Sequence, residues 1–386
     1  MAVVLEKLYQ KAKDYDLELV AGQMGLNHVV SWFHVMEGAQ LKEFVETETV
    51  AFTTGIALSS TEELIELVKI QCEKKASGTI LNIGPYISEV PQELIDYCNE
   101  QNYPLFVVPW DVSLPHIMKL FSYMILESEK AGVELGSALK SAISFPQKTN
   151  LYAPVFNQYG FYDEADYCMV VMKPDNSQQE PSREMIQKMV KCVEHILMSY
   201  GDKSFIINSE GVFLLLFQEY SREEIQKIIN KILSSLKESW KNIYVGIGNI
   251  LSGFTNISKS HVQALKVLRF NEKRHVSNVP VEYRELGLYK LLLAIDDHSI
   301  LKEYYQDSLG ILKHYDEIHH SDYLKVLEIY LYTNGSLNET ANRLFIHRNT
   351  VNYKIRRIQE MLKCDLSDTE VRSRLYVAFC VGEILE

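Results

Sequence analysis

The sequence predicts a multidomain protein: an α/β N-terminal domain, an α/β middle domain and an all-α C-terminal domain. Three observations carry that reading. At 386 residues the chain is too long for one ordinary core, with roughly 150 residues per domain as the usual measure. Two blocks alternate short apolar strand runs with single helical stretches, the pattern of βαβ units with a mainly parallel sheet. From Glu285 to Glu386 no convincing strand run is left, and apolar residues recur at helical spacing. The expected bounds are 1–115 for the first domain, 116–150 for a connecting helix and linker, 151–280 for the middle domain and 281–386 for the helical one.

In the first block the strand runs are "LELVAG" (17–22), "VVSWFHVM" (29–36), "VAFTTG" (50–55), "GTILNIG" (78–84) and "PLFVVPW" (104–110). Between them a helix is expected from Thr61 to about Ala76, where Thr61 precedes Glu62, Glu63 and Leu64, and another opens near Pro91, a residue suited to a first helical position. Ile117, Leu120, Phe121, Met124, Ile125, Val133, Leu135 and Leu139 then mark one long helix from His116 to about Ile143. "SFPQKTNLYAPVFNQYG" breaks that pattern and is the first plausible boundary. The second block reads strand ("DYCMVVMKP"), helix (Ser182 to Tyr200), hairpin ("SFIINSEGVFLLLF"), helix (Ser221 to Trp240), strand ("NIYVGIG") and helix ("NISKSHVQALKVLRF"). The hairpin rests on "NSEG", a glycine-containing turn between two apolar runs.

Composition bounds the function. A hydrophobic content of 47%, with Tyr 23, Phe 15 and only Pro 10, fits packed cores rather than a disordered or collagen-like chain. The N-terminal stretch meets acids and lysines too early for a secretory signal, and no apolar run spans a bilayer, so the expected location is cytoplasmic, without membrane association. Six scattered cysteines with no C-x-x-C pair suggest reduced, buried thiols. A net charge of -12 argues against a protein that coats nucleic acid nonspecifically, yet leaves room for a local basic face.

Such a face lies near the C-terminus, in "LFIHRNTVNYKIRRIQE" (344–360), where the only acid is the last residue. Upstream, Ser336 and Glu339 have capping-box spacing, and Leu337, Ala341 and Leu344 give a short amphipathic helix ending near Phe345. "IHR" reads as a turn, with His347 as cap of the next helix. There Val351, Ile355, Ile358 and Leu362 form an apolar stripe. With Val351 at zero, Arg356 falls near about 140°, Asn349 near 160°, Tyr353 near 200° and Arg357 near 240°. Two short helices joined by a tight turn, the second basic and amide-rich outside, suit a helix-turn-helix at 336–362 that enters a DNA groove. Asn349 and Asn352 would then read adenine, Arg348 and Arg356 guanine, and Thr350, Tyr353, Lys354 and Arg357 phosphates. The plain alternative is a solvated basic face on a helical hairpin.

The stretch from "LGILKHYDEIHH" through "NETANRLFIHRNTVNYKIRRIQEMLKCDLSD" resembles the C-terminal helix-turn-helix of the PucR/CdaR family of bacterial transcription regulators, over about Gly287 to Ala378. Its turn and second helix are also similar to those of the Fis nucleoid protein, which favours His347, Arg348 and Thr350 at DNA. "VVSWFHVMEGAQLKEFVETETVAFTTGIAL" and "NIGPYISEVPQELIDYCNEQNYPLFVVPW" resemble the family's N-terminal domain, and residues 163–275 its GGDEF-like domain. The resemblance implies a sequence-specific regulator of a catabolic pathway, for purines, amino acids or related nitrogen compounds.

Cyclases of the GGDEF type need a Gly-Gly turn ending in acids and an acid after the first strand to hold metal-bound triphosphate. Here the turn is "NSEG" and the first strand ends in "MKPD", so the middle domain reads as degenerate, a scaffold or dimerisation element, with no catalytic residue, cofactor or metal expected. Asp163, Glu164 and Asp166 read as solvated surface, and His314, His319 and His320 as surface or capping residues. "TTGIAL" and "NIGPYI" end strands where open α/β sheets bind ligands, which makes Thr53, Thr54, Gly55, Asn82, Gly84 and Tyr86 candidates for an effector pocket; the alternative is that the glycines only make turns. The expected partners are double-stranded DNA, a small-molecule effector and a second copy of the chain, as homodimer or higher homo-oligomer. Two other readings stay open: a nucleotide-processing enzyme using the middle domain, and a non-DNA protein-interaction module.

Overall fold

The computed structural model describes residues 3–175 and 182–385. In chain order the first elements are β1 (Val3–Val4), α1 (Leu5–Ala12), β2 (Glu18–Ala21), β3 (Val29–Val30), β4 (Trp32–Val35), β5 (Thr49–Thr53), α2 (Thr61–Glu73), β6 (Gly78–Ile83), α3 (Gln92–Glu100), β7 (Leu105–Pro109) and α4 (Leu114–Ser144). There follow α5 (Ala153–Gln158), β8 (Asp166–Pro174), α6 (Arg183–Met198), β9 (Ser204–Ser209), β10 (Val212–Gln218), α7 (Arg222–Leu236), β11 (Ile243–Ile247), β12 (Leu251–Ser252), α8 (Ile257–Lys273) and β13 (Val281–Glu282). The last are α9 (Tyr289–Leu292), α10 (His298–His319), α11 (Tyr323–Tyr332), α12 (Leu337–Leu344), α13 (Arg348–Leu362) and α14 (Thr369–Leu385). The chain forms two compact units. One comprises the chain up to Met169, Pro174–Lys241 and Ile250–Ser260; the other comprises Val170–Lys173, Asn242–Asn249 and the chain from His261 onward.

In the first unit a five-stranded sheet has the order β2-β7-β6-β5-β4. β4 to β7 are parallel, while β2 joins β7 antiparallel. Successive residues of β6 serve opposite faces, as the strand period of two requires. Ile80 packs with α1 and α4 residues such as Leu8, Ile117 and Phe121, whereas Leu81 packs with Leu64, Leu67 and Leu94 of α2 and α3. Because both faces are covered, β5 is buried along its whole length and carries no alternation. Ser60, one residue before the expected start, caps α2 by accepting the Glu63 N–H.

The expected strand 29–36 is two strands. Ser31 donates both its N–H and its hydroxyl to the Glu48 carbonyl (2.7 and 3.1 Å), bending the chain so that β3 pairs with β1 and β4 with β5. Farther along, α5 occupies part of the stretch read as a pattern break. The hairpin β9/β10 turns at Glu210 and Gly211, whose positive φ values of 54° and 82° give the twist that matches paired strands. Asn208 Oδ1 accepts the Gly211 N–H at 3.0 Å. Asp163 and Asp166 are not merely solvated: Asp163 accepts the Phe254 N–H at 2.7 Å and Asp166 the Ser252 hydroxyl.

In the second unit β11 pairs in parallel with β13. A Cβ on Gly246 of β11 would lie 2.1 Å from the Ala264 carbonyl oxygen of α8, so only glycine lets this helix approach. Beyond Glu282 the described residues contain no strand. α10, α11, α12, α13 and α14 share one core that includes Leu309, Val326, Ala341, Val351, Ile358 and Leu375. No helix among the described residues is long and apolar enough to cross a membrane, and no group of three or more His, Cys, Asp or Glu there is placed to hold a metal ion.

Candidate nucleic-acid interface

α12 begins where Gly335 (φ 80°) reverses the chain after α11. Ser336 accepts the Glu339 N–H at 3.3 Å, but the return half of the expected capping box is not made. The Ser336 N–H is already satisfied by the Thr333 carbonyl at 3.0 Å, which leaves Glu339 nothing to complete. The buried hydroxyls of Thr333 and Thr340 meet at 2.7 Å, and Thr340 also donates to the Ser336 carbonyl, joining the end of α11 to α12.

The turn is closed by Phe345 in the left-handed region (φ 57°, ψ 38°). The Phe345 N–H donates to Asn342 and the Ile346 N–H to Ala341 (3.3 and 3.1 Å), the paired bonds of a Schellman ending. Ile346 packs into the core with Ala341, whereas Phe345 is 95% exposed. His347 caps α13, its Nδ1 accepting the Asn349 N–H at 3.2 Å. The N–H groups of Asn349, Thr350 and Val351 are taken by His347, but with no acid in the first turn the positive end of the helix dipole is left uncompensated, a favourable position for phosphate.

Val351, Ile355 and Ile358 are buried, so the apolar stripe is the inner face of α13. His347, Arg348, Asn349, Thr350, Tyr353, Arg356 and Arg357 are exposed and Asn352 is half-buried. Two of the basic residues are held by neighbours. Lys354 has only 20% of its side chain exposed and forms an ion pair with Asp322; Arg357 binds Glu360 at 2.6 Å. Arg348 and Arg356 have no ion-pair partner among the described residues. Asp322 was no part of the expected site, since nothing in a sequence window links positions 32 residues apart.

The second set of expected residues is in the first unit, and the structure adds one that the sequence reading missed, Glu37. Its carboxylate accepts the hydroxyls of Thr53 and Thr54 and the N–H groups of Thr54 and Gly55, at 2.9 to 3.1 Å. The donors of "TTG" therefore converge on a negative charge, as expected of a ligand-binding turn, but that charge belongs to the chain. Asn82 is turned to its own sheet, donating to the carbonyls of Val108 and Pro109 (3.3 and 2.9 Å). Gly84 lies under Trp110, where a Cβ would come within 2.7 Å of it, and the half-exposed Tyr86 meets Trp110 edge to face at 5.7 Å.

Three family descriptions match the chain: the purine catabolism regulatory protein-like family over residues 7–125, a GGDEF-like domain over 156–270 and the PucR C-terminal helix-turn-helix domain over 323–381. Among curated proteins, the proline-responsive transcriptional activator PutR of Bacillus subtilis is 32% identical over 202 residues, 50% of this chain and 49% of that protein. The DNA-binding transcriptional activator AdeR of the same organism is 21% identical over 231 residues, 58% of this chain and 53% of that protein. Its purine catabolism regulatory protein is 30% identical over 154 residues, 38% of this chain and 27% of that protein. The chain spans about half, or less, of the length of these curated relatives. The chain thus carries, in order, segments that match the PucR-like N-terminal domain, the GGDEF-like domain and the PucR C-terminal helix-turn-helix domain.

Proposed function

We propose that the protein is a sequence-specific DNA-binding transcription regulator in which α13 is the reading helix. One observation carries the reading: Val351, Ile355 and Ile358 fix one face of α13 in the core while Asn349, Tyr353 and Arg356 stand together on the exposed face and Arg348 is exposed at the start of the helix. In this reading Asn349, Asn352, Arg348 and Arg356 meet base edges, and His347, Thr350, Tyr353 and the helix N-terminus meet phosphates. Arg357 reaches phosphate by leaving Glu360, and Lys354 acts mainly through Asp322. A dimer in the cytoplasm reading two half-sites supplies the specificity one short helix lacks. The names of the proline-responsive activator PutR and the purine catabolism regulatory protein support control of a nitrogen-compound pathway in response to a small metabolite. We read the middle segment as non-catalytic, since its hairpin turn offers Glu210 alone; absence of GTP turnover with magnesium tests that part.

The main test is selection of genomic DNA fragments by the full chain, followed by binding of the enriched sequence at rising salt. Binding that weakens steeply with salt and is lost in the Arg348→Ala, Arg356→Ala double variant is expected. Binding indifferent to both overturns the assignment in favour of a protein-interaction role for the helical hairpin.

A further inference from the structure

We propose that Arg372, near the start of α14, holds a phosphate of the DNA backbone in a cleft beside α12, outside the groove that α13 reads. The cleft has a volume of about 620 Å³ and lies in the second unit, between the end of α11, the turn that opens α12 and the first half of α14. Arg372 is the charged residue on its lining, and no acid lines it. In a chain of net charge -12, an uncompensated cation in a concave site is a place for an anion.

The guanidinium is held in position without being neutralised. A Cβ on Gly335 would lie 3.2 Å from Arg372 Nη1, so the bare glycine lets the side chain lie close against the turn that enters α12. Arg372 Nη2 donates to the Thr369 hydroxyl at 3.3 Å, one helical turn back, which steadies the side chain and leaves its charge intact. Arg372 is half-buried, has no ion-pair partner among the described residues, and keeps its other side-chain donors unpaired there. The Ser373 hydroxyl is spent on the Thr369 carbonyl at 2.8 Å, but Thr369 keeps its own hydroxyl hydrogen, and the exposed Asn334 adds an amide. An arginine with a hydroxyl and an amide beside it is a donor set suited to phosphate oxygens.

The position in the fold selects DNA as the source of that phosphate. The first helix of a helix-turn-helix crosses the sugar-phosphate backbone beside the groove its partner enters. α12 is that helix, and the turn against which Arg372 lies is where it begins. Glu339, the acid in the first turn of α12, is exposed and does not line the cleft, and Asp368 is engaged by the Glu370 N–H at 2.8 Å. The inference rests on α13 as the reading helix, and adds a contact that sets the domain on the duplex without reading a base.

The test measures binding of the full chain to the DNA it selects, at rising salt. Arg372→Gln should weaken binding several-fold and make the slope of log K against log salt shallower by about 0.9 per bound subunit, while the preference for the selected site over single-base variants stays unchanged. Arg372→Lys should restore the slope, because it returns the charge. Single methylphosphonate linkages then locate the contact: at a position outside the groove segment read by α13, the neutral linkage should weaken the parent and leave Arg372→Gln indifferent. If the parent selects no DNA, or the Arg348→Ala, Arg356→Ala double variant binds as the parent does, the reading-helix assignment fails and this contact with it. If that assignment stands, three results overturn the phosphate contact alone: a salt slope unchanged in an Arg372→Gln variant that unfolds in urea as the parent does, an altered base preference in that variant, or a parent indifferent to every methylphosphonate outside the groove segment.

Discussion

Lys354 and Arg356 are two residues apart on α13, and the structure commits them differently. The Lys354 ammonium is paired with Asp322 and mostly covered, while Arg356 is exposed without an ion-pair partner among the described residues. The perturbation is Arg356→Ala set against Lys354→Met, each in the full chain. A phosphate neutralised by protein contributes about −0.9 to the slope of log K against log salt. Arg356→Ala should make the slope shallower by about 0.9 per bound subunit if it meets phosphate, or lose about 1–3 kcal/mol at one base pair if it reads guanine. Lys354→Met should leave the slope within about 0.3, because its charge is already offset. Its effect falls on the fold instead. With Lys354 only 20% and Asp322 47% exposed, losing the pair should destabilise the protein by about 1 kcal/mol. Fluorescence anisotropy on the selected DNA between about 50 and 200 mM salt, beside urea unfolding of both variants, separates the outcomes. If Lys354→Met flattens the salt slope as much as Arg356→Ala does, the ammonium leaves Asp322 for DNA and the reasoning from burial is wrong.

Other outcomes follow from local geometry. Phe345→Gly removes a left-handed phenylalanine that packs on almost nothing, so urea unfolding should show about 1 kcal/mol more stability; a loss would mean that Phe345 makes a contact in solution. Glu37→Gln keeps the side chain's shape but halves its acceptors, and the first unit should lose about 2 kcal/mol by the same measurement, with unchanged stability counting against the clasp. Burial lowers the pKa of His34, His195 and His261 below the ordinary histidine value of 6.5. The unfolded chain therefore binds more protons in that region, so stability is fully present above pH 6.5 and falls as pH drops below it; His261→Asn should flatten that part of a stability profile.

The sequence revealed elements wherever one local pattern had one structural meaning. β5, β6 and β7 are apolar runs ended by turn residues, and the "SEG" turn left little choice but a hairpin. The break at Ser31 is invisible because both halves of 29–36 are apolar, and what separates them is a bond to Glu48. β12 and β13 are two residues long, too short for any period to register. For α13 the periodicity separated the two faces, and it placed Lys354 at about 300°, only about 60° from the centre of the apolar stripe. Its commitment depends on Asp322, a residue of another helix. Glu37 escaped for the same reason: the donors were recognised from their type, while their acceptor lies 16 to 18 residues away and carries no local mark.

The Glu37 clasp also limits what the "TTG" turn can sense. A carboxylate tethered beside its own donors is present at an effective concentration on the order of millimolar or more. A free anion at about 10 μM would be outcompeted roughly a hundredfold at equal intrinsic affinity. The turn is thus deaf to ordinary fluctuations of anionic metabolites, and only a ligand that wins Glu37 away, or a substitution that deletes it, would turn this internal latch into a receptor.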